Sequence, residues 1–354
     1  MPHVSVIIPT HNRADVVGEA ITSVLAQTYL RRSAPPLPPG DLEVVVVDDG
    51  SDDGTGEVVA RFGPPVRVVS RRCGGPAAAR NTGIRESRGE LICFLDSDDL
   101  YLPTRLERAV AFLDQHPEHD ATYSDWMILR EDGRLTKRPG RDFPSGRVFQ
   151  SLVLRQLWHT NTITIRRRCF DRLGLFDESL PRWEDRDFWL RLAWSCQVGY
   201  LPGEVAIYRM ERCAEPARGK RAVDCQWQVS LTERWLASGL PFTPVERRAL
   251  RNALFFSHWE HARQLARARR GGECRQALAC AAQVAWEDRR CLWAAVALAR
   301  GRLPLIAQAL LWLTRPVRRR DWSLGAGLGG VRVGGLSNAG GREREHRVGR
   351  RRRL

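Results

Sequence analysis

The first half of the chain alternates short apolar runs with segments whose apolar residues recur at helical spacing. The runs at residues 4–8, 42–47 and 91–95 are nearly uninterrupted, which is typical of strands buried on both faces of a parallel sheet. Between the first two runs, apolar residues from Val16 onwards recur every three or four positions, which predicts a helix ending near Gln27. This alternation predicts an α/β fold with a mostly parallel sheet flanked by helices.

After residue 215 the pattern becomes helical. Amphipathic series begin near Trp227 and continue through residues 247–269 and 277–299. We therefore predict three parts in the chain. They are an α/β catalytic domain at residues 1–214, an α-helical C-terminal region at residues 215–314, and a tail at residues 315–354 whose Gly/Arg composition predicts disorder.

The basic character of the chain is concentrated in this tail. The net charge is +15, but residues 315–354 hold twelve arginines against three acidic residues. Arginine tracts bind nucleic acid in some proteins, yet no aromatic residue follows residue 322 to stack on bases. Nucleic acid is therefore not the expected partner. The Trp- and Leu-rich segment at 286–313 and the arginines after it either contact an anionic membrane surface or form an ordinary helical core with solvated arginines.

The cysteines and the start of the chain bear on the compartment. Nine cysteines are scattered without a CxxC pair, and Cys93 falls within a predicted buried strand. This usage is typical of packed, reduced cysteines and not of a disulfide framework or a zinc site. The chain begins directly with a strand, which leaves no room for a signal peptide, and no apolar run reaches the roughly 18 residues of a spanning helix. We expect a cytoplasmic protein, either free or peripheral on the inner face of the plasma membrane.

Carboxylates cluster where the predicted strands end. Asp48 and Asp49 follow the second strand, and three more acids follow the strand at 91–95. The carboxyl ends of parallel strands meet at one edge, where open α/β sheets bind ligands. Crowded carboxylates repel one another, and a divalent cation shared with phosphate oxygens would offset their charge. This pattern predicts a nucleotide site with a cation. The alternative for Asp99 is a helix cap, for a helix that starts near Pro103.

Five blocks of the sequence, in order, resemble the family 2 glycosyltransferases. They read VSVIIPTHNR at 4–13, VVDDGSDDGT at 46–55, ARNTG at 79–83, FLDSDD at 94–99, and LGLFDE with EDRDFWLR at 173–178 and 184–191. Members of this family have the GT-A fold and transfer a sugar from a nucleotide diphosphate donor with inversion. The resemblance covers about residues 3–210. It implies that fold and that reaction, and it says little about the substrate.

The resemblance implies a donor site at the strand ends. Asp48 matches the acid that pairs with the donor base, commonly uracil, so a UDP-sugar is favoured. Asp96 and Asp98 match the DxD motif, in which Asp98 contacts Mg²⁺ or Mn²⁺ directly and Asp96 holds the ribose or a metal-bound water. The other donor-side residues that it implies are Pro9, Thr10, Asn12, Arg80 and Ser97. For Arg80, a structural role at the start of its helix is preferred to a phosphate contact.

Asp185 is implied as the catalytic base, since an acceptor hydroxyl is a poor nucleophile until a carboxylate takes its proton. The alternative for residues 184–187 is a solvated first turn of a helix, where acids favour the helix dipole. Glu184 either orients the base or lies on the other side of that helix.

The acceptor side is implied to include His159, Asn161 and Trp183. The first two lie on a strand predicted to start at residue 158. His159 is equally well explained as a packed histidine, and Trp183 as a core tryptophan.

Two features depart from the family pattern. A proline-rich insertion at residues 31–40 lengthens a connection that is usually short. Glu211 stands near the place of a histidine that is sometimes a metal ligand in relatives. Either Glu211 coordinates the ion, which suits a carboxylate oxygen, or water takes that position.

The sequence is best interpreted as a metal-dependent inverting glycosyltransferase that uses a glycan or lipid-linked acceptor. Family association places it in cell-envelope or extracellular polysaccharide biosynthesis. Two other classes stay open. A nucleotidyltransferase would also hold a metal and a nucleotide at strand ends but would give Asp185 no role. A non-catalytic nucleotide-sugar-binding protein would need none of these acids for chemistry.

Overall fold

The N-terminal half of the chain follows the predicted alternation of strands and helices. Its strands are β1 (Val4–Thr10), β2 (Leu42–Asp48), β3 (Val66–Ser70) and β4 (Leu91–Phe94), and its helices are α1 (Val17–Leu25), α2 (Thr55–Ala60) and α3 (Gly75–Glu86). Successive residues of β1 enter different apolar clusters, with Val6 and Ile8 in one and Ile7 in the other. The strand is therefore buried on both faces, which explains why its sequence is apolar without alternation.

The computed structural model describes residues 3–31, 41–137, 143–210 and 220–285. All of these residues lie within one compact unit, Met1–Leu303. The predictions for most of the proline-rich insertion, for Glu211, for the membrane-surface segment and for the Gly/Arg tail lie outside the described residues.

Five further strands complete a nine-stranded sheet. They are β5 (Leu100–Tyr101), β6 (Ala121–Leu129), β7 (Leu135–Lys137), β8 (Ile163–Arg166) and β9 (Val198–Arg209). The order is β3-β2-β1-β4-β8-β6-β9-β5, and β7 pairs with β6. Strands β1 to β4 are parallel, whereas β8 runs antiparallel to both β4 and β6. The α/β prediction is confirmed, and the sheet is parallel in its first half and mixed beyond β4.

The remaining helices cover the second half of the sheet and form the C-terminal region. They are α4 (Arg105–Gln115), α5 (Phe149–Leu154), α6 (Arg168–Leu173), α7 (Glu184–Ser195), α8 (Lys220–Ala237), α9 (Pro244–Arg267) and α10 (Gly271–Ala285). Trp235 of α8 and Leu250 of α9 belong to the same apolar cluster as Phe149 and Trp189. The predicted helical C-terminal region is confirmed and packs on the α/β part, while its boundary at residue 214 stays a prediction.

The described part of the chain also bears on the predictions about membranes and cysteines. None of the helices within it combines the length and the apolar character that are needed to cross a bilayer. The described cysteines are free, and four of them, Cys93, Cys169, Cys196 and Cys274, are buried. Packed, reduced cysteines were expected from the sequence.

Two local predictions are wrong. Residues Thr160–Thr162 form a short 3-10 helix, and the strand begins only at Ile163. The turn forms because the hydroxyl of Thr162 accepts from the N–H of His159 at 3.2 Å and donates to its carbonyl at 3.0 Å. Asp99 does not cap α4, which starts at Arg105 without a side-chain cap. Its carboxylate is engaged elsewhere, in the cluster described below.

Gly83 marks a close approach between α3 and β1. A Cβ atom at this position would lie 2.3 Å from Cγ2 of Ile7, which is fully buried. We expect Gly83→Ala to lower the free energy of unfolding by about 1–3 kcal/mol, because an added methyl group in a packed core displaces its neighbours. Urea denaturation followed by circular dichroism measures this change.

Arg85→Ala, at an exposed position of the same helix, is the matched control and should stay within about 0.5 kcal/mol of the wild type. Equal stability of Gly83→Ala and the wild type would show that β1 and α3 can separate without cost.

Candidate functional site

The carboxyl ends of β1, β2 and β4 surround a cavity of about 440 Å³, here called the strand-end cavity. Six residues predicted for the donor or the metal line it, namely Pro9, Thr10, Arg80, Asp96, Ser97 and Asp98. His11, Arg13 and Tyr208, which the sequence analysis did not assign to the site, also line it, together with Asp49 and Asp99 of the predicted acid cluster. The cavity occupies the edge at which α/β sheets bind ligands, and the donor and metal roles of its residues stay predictions.

The end of β1 contributes the hydroxyl of Thr10 to the cavity, and Asn12 in the loop that follows has a structural role. Thr10 is 4% exposed, and its Oγ1 has no hydrogen-bond partner among the described residues. A buried polar atom without a partner on a cavity wall is satisfied when a ligand binds there. Asn12 is exposed and does not line the cavity; its Oδ1 accepts the N–H of Asp52 at 3.0 Å. Asn12 therefore holds the two loops together.

The end of β2 presents Asp49 to the cavity, whereas Asp48 turns into its own loop. Oδ1 of Asp48 accepts the N–H of Ser51 at 3.0 Å and its hydroxyl at 2.5 Å. Oδ2 of Asp49 accepts the N–H of Gly75 at 2.7 Å, and Oδ1 accepts a guanidinium N–H of Arg71. Asp49 thus fixes the loop before α3 on the cavity wall. The base contact of Asp48 stays a prediction.

Asp96, Asp99 and His159 bring two carboxylates and an imidazole to one point. One ligand atom from each residue lies within 4.8 Å of the others. Asp99 is 1% exposed, and burial, together with the charges of Asp96 and Asp98, raises its pKa to about 8. Burial lowers the pKa of His159, which favours the neutral imidazole that binds metals. The raised pKa of Asp99 reflects the cost of crowding buried carboxylates, which a divalent cation would offset, and carboxylate oxygens suit Mg²⁺ or Mn²⁺.

Asp98 lies on the same cavity but outside this group of three. Its Oδ2 is 3.5 Å from Nη2 of Arg13, and its side chain is 28% exposed. The sequence motif marks Asp96 and Asp98 equally, whereas the structure groups Asp96 with Asp99. The assignment of Asp98 as the direct metal ligand therefore stays a prediction, and the group of Asp96, Asp99 and His159 is the alternative metal site.

Asn161 positions the acidic cluster. Its Oδ1 accepts the N–H of Asp96 at 2.9 Å, and its Nδ2 donates to Oδ2 of Asp99 at 2.5 Å. Oδ1 of Asp99 accepts the N–H of Arg209 at 2.7 Å. Asn161 is fully buried, so the structure does not place it where the predicted acceptor contact requires. Its hydrogen bonds make it a positioning residue for the acids.

Arg80 connects the strand-end cavity with the start of α7. Its Nη2 donates to Oδ1 of Asp96 at 3.2 Å, and its Nη1 donates to Oε1 of Glu184 at 2.8 Å. Burial disfavours the charged guanidinium, but the neighbouring carboxylates outweigh it and keep the pKa of Arg80 raised. This arrangement agrees with the structural role preferred for Arg80. Glu184 pairs with Arg80, and whether it orients the base stays open.

A second cavity, of about 270 Å³, lies at the start of α7 and is here called the α7 cavity. Asp185, Trp183 and His159 line it, and their roles as base and acceptor-side residues stay predictions. His159 also belongs to the cluster with Asp96 and Asp99, so it connects the two cavities. Trp183 precedes the helix with a φ of 63°, and its indole N–H donates to the carbonyl of Asp224 at 3.0 Å. The partly buried Asp185 follows two residues later.

Comparisons with known proteins extend this description. Residues 5–174 match the family model described as glycosyl transferase family 2. An uncharacterized glycosyltransferase of Rickettsia felis is 34% identical over 198 residues, which are 54% of this chain and 31% of that protein. TarS of Staphylococcus aureus, a poly(ribitol-phosphate) β-N-acetylglucosaminyltransferase, is 32% identical over 133 residues, which are 36% of this chain and 21% of TarS.

Two solved structures share the fold. TarS residues 1–349 in complex with UDP-GlcNAc give a TM-score of 0.54 at 21% identity, covering 80% of this chain and 81% of that one. The mannosyltransferase PcManGT of Pyrobaculum calidifontis, in complex with GDP-Man and Mn²⁺, gives a TM-score of 0.54 at 26% identity, covering 89% and 88%.

The mixed sheet with its strand-end cavity is the GT-A fold. The similarity to glycosyl transferase family 2 is carried by residues 5–174 and by relatives that match about half of this chain. The chain spans only about a third and a fifth of the two curated relatives named above, with 31% and 21% of their lengths.

Proposed function

We propose that this protein is a metal-dependent inverting glycosyltransferase that transfers a sugar from a nucleotide diphosphate donor to an acceptor hydroxyl. One observation carries the proposal. The strand-end cavity and the α7 cavity meet at the Asp96–Asp99–His159 cluster, and Asp185, the candidate base, lines the second cavity. The complexes of the structural neighbours with UDP-GlcNAc and with GDP-Man support a nucleotide-sugar donor, and a UDP-sugar stays the favoured choice.

In this proposal the donor nucleotide lies in the strand-end cavity. Thr10 offers an unpartnered hydroxyl there, and Pro9 forms part of the wall. Asp49 lines the cavity and is next to Asp48, and this supports a position for the donor base near the ends of β1 and β2. Ser97 is 7% exposed on the same wall, close to the acids that face the diphosphate.

Asp96 and Asp99, with His159 and with Asp98 nearby, would hold Mg²⁺ or Mn²⁺. The bound cation would offset the negative charge that develops on the leaving diphosphate. Asn161 keeps both carboxylates in place, and Arg80 fixes Asp96 relative to α7. A Mn²⁺ complex of the structural neighbour PcManGT supports this cofactor class.

Asp185 would accept the proton of the acceptor hydroxyl as it attacks. It lies in the first turn of α7, at the positive end of the helix dipole. The N–H of Arg186 donates to its Oδ1 at 2.6 Å, which leaves Oδ2 for the acceptor. Among the described residues that line the α7 cavity, Asp185 is the single carboxylate. A single displacement with inversion needs only one such group.

The acceptor is proposed to be a glycan or a lipid-linked molecule of the cell envelope or of an extracellular polysaccharide. The name of TarS, which acts on poly(ribitol-phosphate), supports an envelope polymer as the class. Attachment to an anionic membrane surface stays a prediction.

A donor screen tests the reaction class. The purified protein is incubated with UDP-, GDP- and dTDP-sugars and Mn²⁺ or Mg²⁺, with and without EDTA, and the released nucleoside diphosphate is measured. We expect release from one donor and its loss in EDTA, because the acids at the strand ends need a cation to hold a diphosphate. Asp171→Asn, a change at an exposed acid of α6, is the control and should keep full activity.

The two alternatives give different results in the same screen once nucleoside triphosphates are added to the panel. A non-catalytic nucleotide-sugar-binding protein would show a donor-induced thermal shift without any release, even when acceptors are supplied. A nucleotidyltransferase would release pyrophosphate from a nucleoside triphosphate and leave the nucleotide sugars intact. Either result would contradict the proposed function.

A further inference from the structure

The two cavities carry opposite balances of charge. Four aspartates and two arginines line the strand-end cavity, which leaves it negative and suited to a cation. The α7 cavity is lined by two arginines, Arg155 and Arg186, against the single carboxylate of Asp185. The cavity that would receive the acceptor is therefore positive.

Arg186 directly follows the candidate base, and only part of the hydrogen-bonding capacity of its guanidinium is used within the described residues. Its Nη2 donates to the carbonyls of Leu152 and, at 3.3 Å, of Val153, both in α5. Within the described part of the chain, no carboxylate forms an ion pair with Arg186, and its Nε and Nη1 have no hydrogen-bond acceptor. Burial lowers the pKa of Arg186 to about 10, although Asp185 opposes this change. An enclosed cation without a counter-anion is costly, and an anionic ligand relieves that cost.

Arg155 provides a second cation on the same wall. It follows the last residue of α5, and its guanidinium lies 5.2 Å from the ring centroid of Phe143. Stacking on an aromatic ring fixes the plane of the guanidinium and leaves its N–H edge available. Among the described residues, no acid pairs with Arg155. Gln228 of α8 adds an amide to the same lining.

We propose that the α7 cavity binds an anionic group of the acceptor, a phosphate or a carboxylate, through Arg155 and Arg186. This inference rests on the proposed function, because it names the acceptor class for the cavity that holds Asp185. Guanidinium groups bind phosphate and carboxylate through paired N–H donors, which fixes the direction of the ligand as well as its charge. The anionic group then orients a nearby hydroxyl of the same acceptor towards Asp185. A neutral glycan would leave the excess positive charge of the cavity, two arginines against one carboxylate, without a counter-charge.

Three hexoses that differ in one substituent test the binding site directly. Glucose, glucuronate and glucose 6-phosphate are titrated into the full-length protein by calorimetry, with UDP and Mn²⁺ present to fill the strand-end cavity and again without them. We expect at least one of the two anionic sugars to bind at least tenfold more tightly than glucose. The comparison of glucuronate with glucose 6-phosphate identifies the preferred anion.

Variants of Arg155 assign this preference to the cavity. Arg155→Gln should remove most of the tenfold preference, Arg155→Lys should retain part of it, and Arg61→Gln, at an exposed position outside both cavities, should leave it unchanged. Arg186→Gln should act like Arg155→Gln, but Arg186 also holds the carbonyls of α5, so circular dichroism must accompany it. Equal affinity for the three sugars, including no detectable binding of any of them, would overturn the inference. A preference that survives both glutamine variants would overturn it as well.

The donor screen separates this inference from the proposed function. Donor turnover without any preference for an anionic sugar would leave the transferase proposal standing and reject the anion site. An anion preference that depends on Arg155, found in a protein that neither binds nor turns over any nucleotide sugar, would retain the anion site and reject the transferase.

Once an acceptor that the enzyme turns over has been identified, kinetics give a further test. Arg155→Gln should raise the KM for this acceptor at least tenfold and change kcat far less, since the substitution removes binding and not proton transfer.

Discussion

Asp185→Asn is expected to lower kcat for sugar transfer by about 10²–10⁴-fold, the contribution typical of a general base. Asparagine keeps the shape of the side chain, and its Oδ1 can still accept the N–H of Arg186. The change removes the charge that would take the proton of the acceptor hydroxyl. Because Asp185 does not line the strand-end cavity, the KM for the donor should change by less than about threefold. Initial rates at saturating donor, with acceptor varied, measure both quantities.

The same variant separates the proposed function from an alternative. An Asp185→Asn variant with the wild-type rate would leave Asp185 in the solvated first turn of α7, without a part in the chemistry. That result would favour the nucleotidyltransferase alternative, in which this residue has no role.

The sequence predicted the strand ends well because the information there is local. Uninterrupted apolar runs in β1, β2 and β4 fix three parallel strands, and the acids directly after them must then share one edge of the sheet. The motif at residues 94–99 consequently lies on the strand-end cavity. The mixed half of the sheet was not foreseen. The pairing of β8 with β4 and with β6 joins strands far apart in sequence, and an apolar run does not reveal its partner.

The connections between the acids could not be read from the sequence for the same reason. Asn161 bonds Asp99 from 62 positions away, and Arg80 bonds Glu184 from 104 positions away. The helix-cap role for Asp99 was a reasonable local interpretation, since acids before helices commonly cap them. Burial and the N–H of Arg209 place the carboxylate in the cluster. The positive surplus of the α7 cavity likewise comes from two different helix ends, Arg155 after α5 and Arg186 in α7.

Asp96→Ala is expected to abolish metal-dependent turnover of the donor, with a loss of about 10³-fold or more. A metal ion that stabilises developing charge contributes several kcal/mol, and each 1.36 kcal/mol corresponds to about tenfold in rate. Asp96 combines two functions, because it belongs to the candidate metal cluster and also holds Nη2 of Arg80. The thermal shift that Mn²⁺ induces in the wild type should disappear in this variant. Turnover that stays within tenfold of the wild type would remove Asp96 from the metal site.

Asp98→Ala and His159→Gln decide which residues complete that site. The DxD motif predicts that Asp98 contacts the cation, so Asp98→Ala would match the loss in Asp96→Ala, and His159→Gln would be nearly silent. The geometry instead groups His159 with Asp96 and Asp99, while Asp98 lies beside Arg13. If this group holds the cation, His159→Gln weakens Mn²⁺ binding more than Asp98→Ala does. We expect the apparent Kd for Mn²⁺ to rise more in His159→Gln than in Asp98→Ala. Three ligand atoms that already lie within 4.8 Å of one another need little rearrangement to enclose one ion.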